Sequence, residues 1–524
     1  MMNREDQLRQ LRDRTNPWDI VVIGGGATGV GIAMDAASRG LDVLLLEQSD
    51  FGKGTSSRST KLVHGGVRYL RQGNITLVRD ALRERSLLKT NAPHLVHDLA
   101  FLIPCRNLWQ RFFYGVGLKI YDLLAAGNNF ATTRRISKLE SIQQIPTLKP
   151  EIVSGGVVYH DGQFDDTRLL INMVQTAHEQ GGCVLNYVCV DAISKDASGA
   201  INGVRATDQE SDETFDISAR AVVNAAGPFC DAVRQMDDPK CEPMLSASQG
   251  VHIVLPRKLF PGNTAIMVPK TPDGRVLFVI PWHDHAIVGT TDTPIDEVSL
   301  EPSAQTEEIQ FLLSTAAKYL VTPPQKEDIL SVFVGIRPLV KGDKSARTAS
   351  LSRDHVIRVS ESGLVTITGG KWTTVRKMAE DCVDRVVKEA SLHAKLCCTR
   401  SQRIHGYVES DFDGAPRSFY GTDLALIQQL ESETPDFAKP LHSDLTITAA
   451  EVIWVVRHEM ARTVEDVLAR RTRALFLNAR AALAIAPNVV ELMAAELGRD
   501  ETWCEQQREA FRKVAQFYLP QSIG

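Results

Sequence analysis

Asp19-Ile20-Val21-Val22-Ile23-Gly24-Gly25-Gly26-Ala27-Thr28-Gly29 is the stretch whose reading decides the fold. Its apolar, mostly β-branched start has the composition of a strand buried on both faces in a parallel sheet. Gly24, Gly26 and Gly29 then fit G-x-G-x-x-G, and an Ala-rich segment over 30–39 reads as a helix that Gly40 stops. Residues 41–46 read as a second buried strand ending in Glu47. Each part has a task in holding a dinucleotide. Gly24 permits the tight turn, Gly26 lets backbone approach a pyrophosphate, and Gly29 lets helix pack on strand. The helix N-terminus offers free N–H groups and a partial positive charge to phosphate. Glu47 stands where an acid accepts ribose hydroxyls. The pattern indicates an ADP moiety and does not separate FAD from NAD.

The rest of the composition narrows the class. At 524 residues the chain is long enough for roughly three domains. With 43% hydrophobic and 23% charged residues it has the balance of a soluble globular protein. A net charge of −5 argues against nucleic acid as a partner. The nine cysteines contain no C-x-x-C pair, which reads as reduced thiols in a cytosolic setting. Residues 1–17 lack the apolar core of a secretory signal, and no apolar run is long enough to span a membrane. No metal site is expected. His458-Glu459-Met460-Ala461-Arg462 resembles a zinc-protease motif, but Arg462 stands where the second histidine is needed.

Working outward, residues 50–70 are rich in Gly, Ser and Thr with four cations, a composition that suits either a solvated linker or a donor loop around an anionic cofactor. A helix over 107–124 puts Trp109, Phe112, Phe113, Val116, Ile120, Leu123 and Leu124 on one face, with Arg111, Lys119 and Asp122 on another. Such a helix either packs on a core or lies in a membrane interface. A helix from Asp165-Asp166 runs toward Gly181, a strand covers 183–190, and a polar hairpin covers 194–216. A strand over 219–223 ends in Asn224-Ala225-Ala226-Gly227-Pro228, a second close backbone approach to a cofactor. Short β-rich runs separated by Pro and Gly over 244–340, interrupted by a helix over 306–320, read as a mostly antiparallel sheet. Leu364-Val365-Thr366-Ile367-Thr368-Gly369-Gly370-Lys371-Trp372-Thr373-Thr374 repeats the logic of strand, glycine turn and helix N-terminus. From about residue 399 the pattern is helical, with a capping box at Thr448 and Glu451 and an interruption at Pro487.

Gly54-Thr55-Ser56-Ser57-Arg58-Ser59-Thr60-Lys61-Leu62-Val63-His64-Gly65-Gly66-Val67-Arg68-Tyr69-Leu70 after this strand–helix–strand resembles the FAD-dependent, quinone-linked glycerol-3-phosphate dehydrogenases, and later segments match the same family over nearly the whole chain. The resemblance implies FAD rather than NAD. It implies an α/β fold: a Rossmann-type FAD-binding domain, an interleaved and mostly antiparallel β substrate domain, and a C-terminal all-helical cap. The FAD-binding segments would lie near 17–110, 150–240 and 355–395, the substrate domain near 241–354, and the cap over 399–524. Cofactor contacts are implied at Gly24, Gly26, Gly29, Glu47, Thr55, Ser56, Lys61, Leu62, His64, Gly65, Val190, Ala226, Gly227, Gly370 and Thr373. The implied reaction is oxidation of sn-glycerol 3-phosphate to dihydroxyacetone phosphate, with electrons passed to membrane quinone. An oxidase of the same family, which hands electrons to O2 and releases H2O2, is the alternative. An amine- or amino-acid-oxidising flavoenzyme is a more distant one. Peripheral attachment to the cytoplasmic membrane follows from a lipid-soluble acceptor, and a homodimer is compatible with the family.

Oxidising a secondary alcohol needs a hydride acceptor and a base for the hydroxyl proton. Histidine suits the base, and among thirteen histidines the residue pattern alone does not choose. By resemblance, Gly250-Val251-His252-Ile253-Val254 makes His252 the base, His64 lies beside the cofactor, and His283 and His285 flank a turn at Asp284. A phosphorylated substrate also calls for fixed cations. The resemblance assigns Arg337 to the hydroxyl end, where it stabilises developing alkoxide, and Arg68, Arg353 and Lys371 to phosphate.

Overall fold

Short apolar runs sort into two large sheets according to how many faces they bury. The computed structural model describes residues 2–520 apart from 68–69, 71–72, 126, 128–129, 272–273, 342–354, 410–414 and 416. The opening strand, Ile20–Ile23, is buried throughout and lies between Val43–Leu46 and Val222–Asn224, parallel to both. Cys183–Leu185 extends this six-stranded sheet on one side. Val365–Gly369 and then the antiparallel His355–Val359 extend it on the other. Alternate residues serve different cores, as a strand period of two demands. Ile20, Val22, Val43 and Leu45 pack with helices Ala27–Ser38, Asp166–Glu179 and Val375–Glu389. Val21, Ile23, Leu44 and Leu46 pack with a three-stranded sheet, Val188–Lys195, Ile201–Asp208 and Thr214–Ser218. The strand expected over 183–190 therefore divides. Tyr187, at φ +57°, turns the chain so that its two halves join different sheets.

The second sheet has ten strands and is mostly antiparallel. Leu245–Pro256 runs through it, pairing along its length with Ser331–Val340 and on its other side with His285–Gly289 and Thr293–Ile295. Leu277–Trp282 and His285–Gly289 join through His283 and Asp284, both left-handed, as a tight two-residue hairpin requires. Val96–Cys105 and Gly155–Phe164, assigned by sequence to the FAD-binding segments, pair with each other and enter this sheet beside Ala265–Val268. The sheet expected from 241–354 therefore draws on the N-terminal third of the chain as well. Pairings across such separations leave no mark on local composition.

The cap is built on helices Ala449–His458, Ala479–Leu497 and Glu501–Ala515. It is not purely helical, since Pro440–His442 and Leu445–Thr448 form a two-stranded hairpin. Thr448 and Glu451 make the expected capping box at the start of Ala449–His458. Pro487 does not break its helix. It lies on the exposed side, while Ile485, Ala486, Val489, Val490 and Met493 bury both halves in the cap core. That packing holds the helix through one missing hydrogen bond.

Three arginines lock the cap to the core. Arg471 donates to both oxygens of the buried Asp50 at 2.7 and 2.9 Å, and Arg470 adds a bond to the same carboxylate. Arg473 reaches the Ser57 carbonyl at 2.8 Å and the Thr167 hydroxyl at 2.8 Å. Although burial opposes ionisation, Arg471 and Arg470 hold the Asp50 carboxyl down at about 2.

Helix Leu108–Leu124 answers the two readings of its apolar stripe. Gly115, Leu118 and Tyr121 face the protein. Trp109, Phe112, Phe113 and Leu123 are 69%, 51%, 50% and 78% exposed, an apolar surface turned to solvent. Arg135, on the neighbouring strand Arg134–Ser137, lies over the Phe112 ring at 5.2 Å. Among the described residues no helix is long and apolar enough to cross a membrane.

Candidate active site

A cavity of about 600 Å³ lies between the two sheets, and both ends of the expected chemistry open into it. The N-terminus of helix Ala27–Ser38 lines it. Gly26 caps it without a side-chain acceptor, and Ser56 Oγ accepts from Ala27 N at 2.9 Å. Gly24 has φ +111°, and a Cβ there would stand 2.8 Å from the Ala225 carbonyl oxygen. A Cβ on Gly29 would stand 1.9 Å from the Gly24 carbonyl oxygen. Gly29 thus serves helix-to-strand packing, while Gly24 and Gly26 face the cavity. Glu47 lines the cavity and accepts from Gly25 N at 2.6 Å and Ser49 N at 2.9 Å, fixing the glycine turn against the end of the second strand. These backbone donors and this carboxylate fit the phosphate and ribose ends of a dinucleotide.

Further along, Thr55, Leu62, His64, Val190, Ala226, Gly227, Gly370 and Thr373 also line the cavity. Asn224 shapes the turn at Ala226 and Gly227, accepting from Ala226 N at 3.2 Å and donating to the Cys230 carbonyl at 2.8 Å. Thr373 Oγ1 accepts from His64 N at 3.0 Å, and the Trp372 indole donates to the Ser56 carbonyl at 2.9 Å. The last glycine turn is thereby tied to the donor loop of 50–70, so the three approaches foreseen for a cofactor converge. Thr55 spends its own hydroxyl on the Ile336 carbonyl, at 2.6 Å.

Two expected cofactor contacts lie elsewhere. Lys61 is fully buried behind the loop. Its ammonium donates to Asp166 and to the Ser57 carbonyl, both at 2.7 Å, and sits over the rings of Trp282, Phe333 and Phe476. Burial pushes the Lys61 amine down to about 7, with Asp166 opposing and Arg473 assisting. Gly65 is a packing glycine, since a Cβ there would meet the Tyr121 hydroxyl at 2.4 Å. Conformational demand and close packing both select glycine, and a motif does not distinguish them.

His252, Arg337 and Lys371 line the same cavity. His252 sits on Leu245–Pro256 opposite Phe333, whose ring stacks on the imidazole at 4.7 Å and 11°. His252 Nε2 meets Thr60 Oγ1 at 2.9 Å, while Nδ1 is buried without a hydrogen-bond partner among the described residues. Burial, with Lys61 and Arg337 adding repulsion, holds the imidazole well below its usual value and therefore neutral. The Arg337 guanidinium donates to Asp292 at 3.0 Å, to the Thr291 carbonyl at 2.9 Å and to the Thr290 hydroxyl at 3.2 Å. Gly250, in the adjacent strand, leaves it room, because a Cβ there would stand 2.3 Å from Nη2. Lys371 follows the paired left-handed glycines Gly369 and Gly370. Arg68 and Arg353 lie outside the described residues.

Thr60, Arg275, Phe278 and Asp292 also line the cavity and were not foreseen. Thr60 lies inside the recognised loop, yet its meeting with His252 spans 192 residues. Arg275 and Asp292 sit in turns whose composition is that of any surface loop.

The family described as FAD dependent oxidoreductase matches residues 19–376, and the C-terminal domain of alpha-glycerophosphate oxidase matches residues 365–504. The mitochondrial glycerol-3-phosphate dehydrogenase of Mus musculus is 39% identical over 560 residues, covering 100% of this chain and 76% of its own. The mitochondrial enzyme of that name from Arabidopsis thaliana is 40% identical over 545 residues, covering 96% and 86%. The crystal structure of the Bacillus halodurans glycerol-3-phosphate dehydrogenase complexed with FAD superimposes with a TM-score of 0.81 at 29% identity, covering 99% of this chain and 98% of that one.

Proposed function

The chain belongs to the FAD-dependent oxidoreductase family that contains the glycerol-3-phosphate dehydrogenases, and on that premise we propose that it oxidises sn-glycerol 3-phosphate to dihydroxyacetone phosphate and delivers the electrons to a membrane quinone. The observation that carries this reading is a neutral, buried histidine and a fixed guanidinium facing one cavity that a dinucleotide cradle also lines. FAD supplies the hydride acceptor. The chain's residues do the rest. Gly24, Gly26 and the helix N-terminus hold the pyrophosphate, and Glu47 accepts the ribose hydroxyls. His252 takes the substrate hydroxyl proton. An incoming phosphate carries close to two negative charges, so its arrival raises the proton affinity of His252 at the moment a base is needed. Arg337, oriented by Asp292, Thr290 and Thr291, stabilises the developing alkoxide, and Lys371 pairs with the phosphate.

The membrane acceptor is supported by helix Leu108–Leu124. An exposed stripe carrying Trp109, Phe112 and Phe113, with Arg135 at its edge, suits a helix lying at the level of lipid headgroups. On this reading the enzyme attaches peripherally to the cytoplasmic membrane. A second reading, the oxidase, is favoured by the match of residues 365–504 to a domain described from alpha-glycerophosphate oxidase. Anaerobic incubation with glycerol 3-phosphate and a short-chain quinone, with dihydroxyacetone phosphate assayed, tests the first. Turnover with quinone and little peroxide in air supports the dehydrogenase. Stoichiometric peroxide with no gain from quinone supports the oxidase, and no triose phosphate under either condition contradicts both.

A further inference from the structure

We propose that Thr60 is the positioning residue of the base, an inference that rests on reading His252 as the proton acceptor. The Thr60 hydroxyl is the hydrogen-bond partner of the imidazole among the described residues, at 2.9 Å from Nε2, and Nδ1 has none. Stacking on Phe333 sets the plane of the ring but leaves the half-turn about the Cβ–Cγ bond that exchanges its two edges, a two-fold torsion in histidine. A directional bond to one nitrogen removes that freedom. Thr60 lines the same cavity as His252, so the bond sits at the face where substrate arrives.

The loop behind Thr60 is built to hold that hydroxyl still. Asp166, fully buried, accepts from Ser59 N at 3.1 Å, Ser59 Oγ at 2.7 Å and Lys61 Nζ at 2.7 Å. Lys61 has φ +62°, a left-handed turn that a lysine adopts only where its surroundings impose it. Its ammonium returns to the Ser57 carbonyl, which also accepts from Arg473 of the cap. Lysine, aspartate and arginine side chains buried together carry a large desolvation penalty, which a simple linker would not need. Ser59 and Thr60 both line the cavity, but the Ser59 hydroxyl is taken by Asp166, and it is the Thr60 hydroxyl that meets His252.

The test uses the FAD-loaded full chain with Thr60→Val, which keeps the shape and removes the hydroxyl, and Thr60→Ser, which restores the hydroxyl. With glycerol 3-phosphate and a soluble quinone, kcat of the valine variant should fall by roughly 10- to 100-fold while KM and bound FAD stay within about 2-fold. The serine variant should recover most of the loss. A valine variant with wild-type kcat overturns the inference. So does a serine variant as slow as valine, or a loss that follows bound FAD. An inactive wild type overturns the functional reading and this inference with it, whereas an active wild type with an equally active valine variant overturns this inference alone.

Discussion

Gly289 stands opposite His252 in the paired strands Leu245–Pro256 and His285–Gly289, and its missing side chain makes room for the imidazole. A Cβ built there would lie 2.0 Å from His252 Cδ2 and 2.7 Å from Nε2. Ordinary contact begins near 3.4 Å, so in Gly289→Ala the ring must retreat by about 1.4 Å or turn. The stacked Phe333 ring at 4.7 Å blocks one retreat, and the Thr60 bond at 2.9 Å is broken by the other. Misplacing a catalytic group by about 1 Å lowers rate by about 100-fold, and overpacking of this kind destabilises by about 1–3 kcal/mol. Gly289→Ala should therefore lose about 100-fold in kcat while retaining FAD, since the atoms nearest that Cβ all belong to His252 and none to the cradle at Gly24, Gly26 and Glu47. Stopped-flow reduction under anaerobic conditions measures the chemical step, and the absorbance of bound flavin gives cofactor content. Reduction at wild-type speed would refute the reasoning, because the base would then tolerate displacement. Equal loss of speed and of FAD would also refute it, by making Gly289 a folding position.

Three further outcomes follow from other parts of the structure. Phe112→Glu with Phe113→Glu places charge on the exposed stripe and should release the enzyme from anionic vesicles without slowing quinone-independent flavin reduction; unchanged sedimentation contradicts a docking role for that helix. Arg471→Met leaves the buried Asp50 with one of its two arginines and should cost about 3–5 kcal/mol, read as earlier thermal unfolding with FAD release. An unshifted unfolding curve would show that Arg470 alone suffices. His405 bridges Asp423 of the cap and Glu179 of the core, and despite burial these carboxylates raise its imidazole to about 9. A raised folded value means stabilisation fully present below the ordinary 6.5 and lost as pH rises through about 9. Discounted for solvent screening, the contribution is about 1–2 kcal/mol, so thermal stability should decline from pH 7 to 9.5, and His405→Asn should flatten that decline.

The parts of this protein legible in sequence are those whose physics is local. Ile20–Ile23, the glycine turn and Glu47 act within one strand–helix–strand, and spacing alone conveys what each does. The turn at Gly369 and Gly370 and the capping box at Thr448 are local in the same sense. His252 shows nothing distinctive in its own strand, and family resemblance, not chemistry, picked it from thirteen histidines. Its surroundings were invisible because Phe333 and Gly289 arrive through strand pairing and Thr60 from a loop 192 residues away. Lys61 misled for a related reason: a cation in a Gly-Ser-Thr loop looks like an anion ligand until its burial against Asp166 is seen. Pro487 misled in the opposite sense, since its helix is held by the cap core and not by propensity. The exposed face of Leu108–Leu124 could not be told from a buried one, because periodicity records a stripe and not which way it turns.

The measurement that tests the central claim most directly is an anaerobic titration of the purified, yellow holoenzyme with sn-glycerol 3-phosphate. Bleaching of the flavin absorbance near one equivalent, with dihydroxyacetone phosphate formed and no response to glycine or proline, is the result the account predicts. A flavin that stays yellow with glycerol 3-phosphate, or bleaches with an amino acid instead, would contradict it.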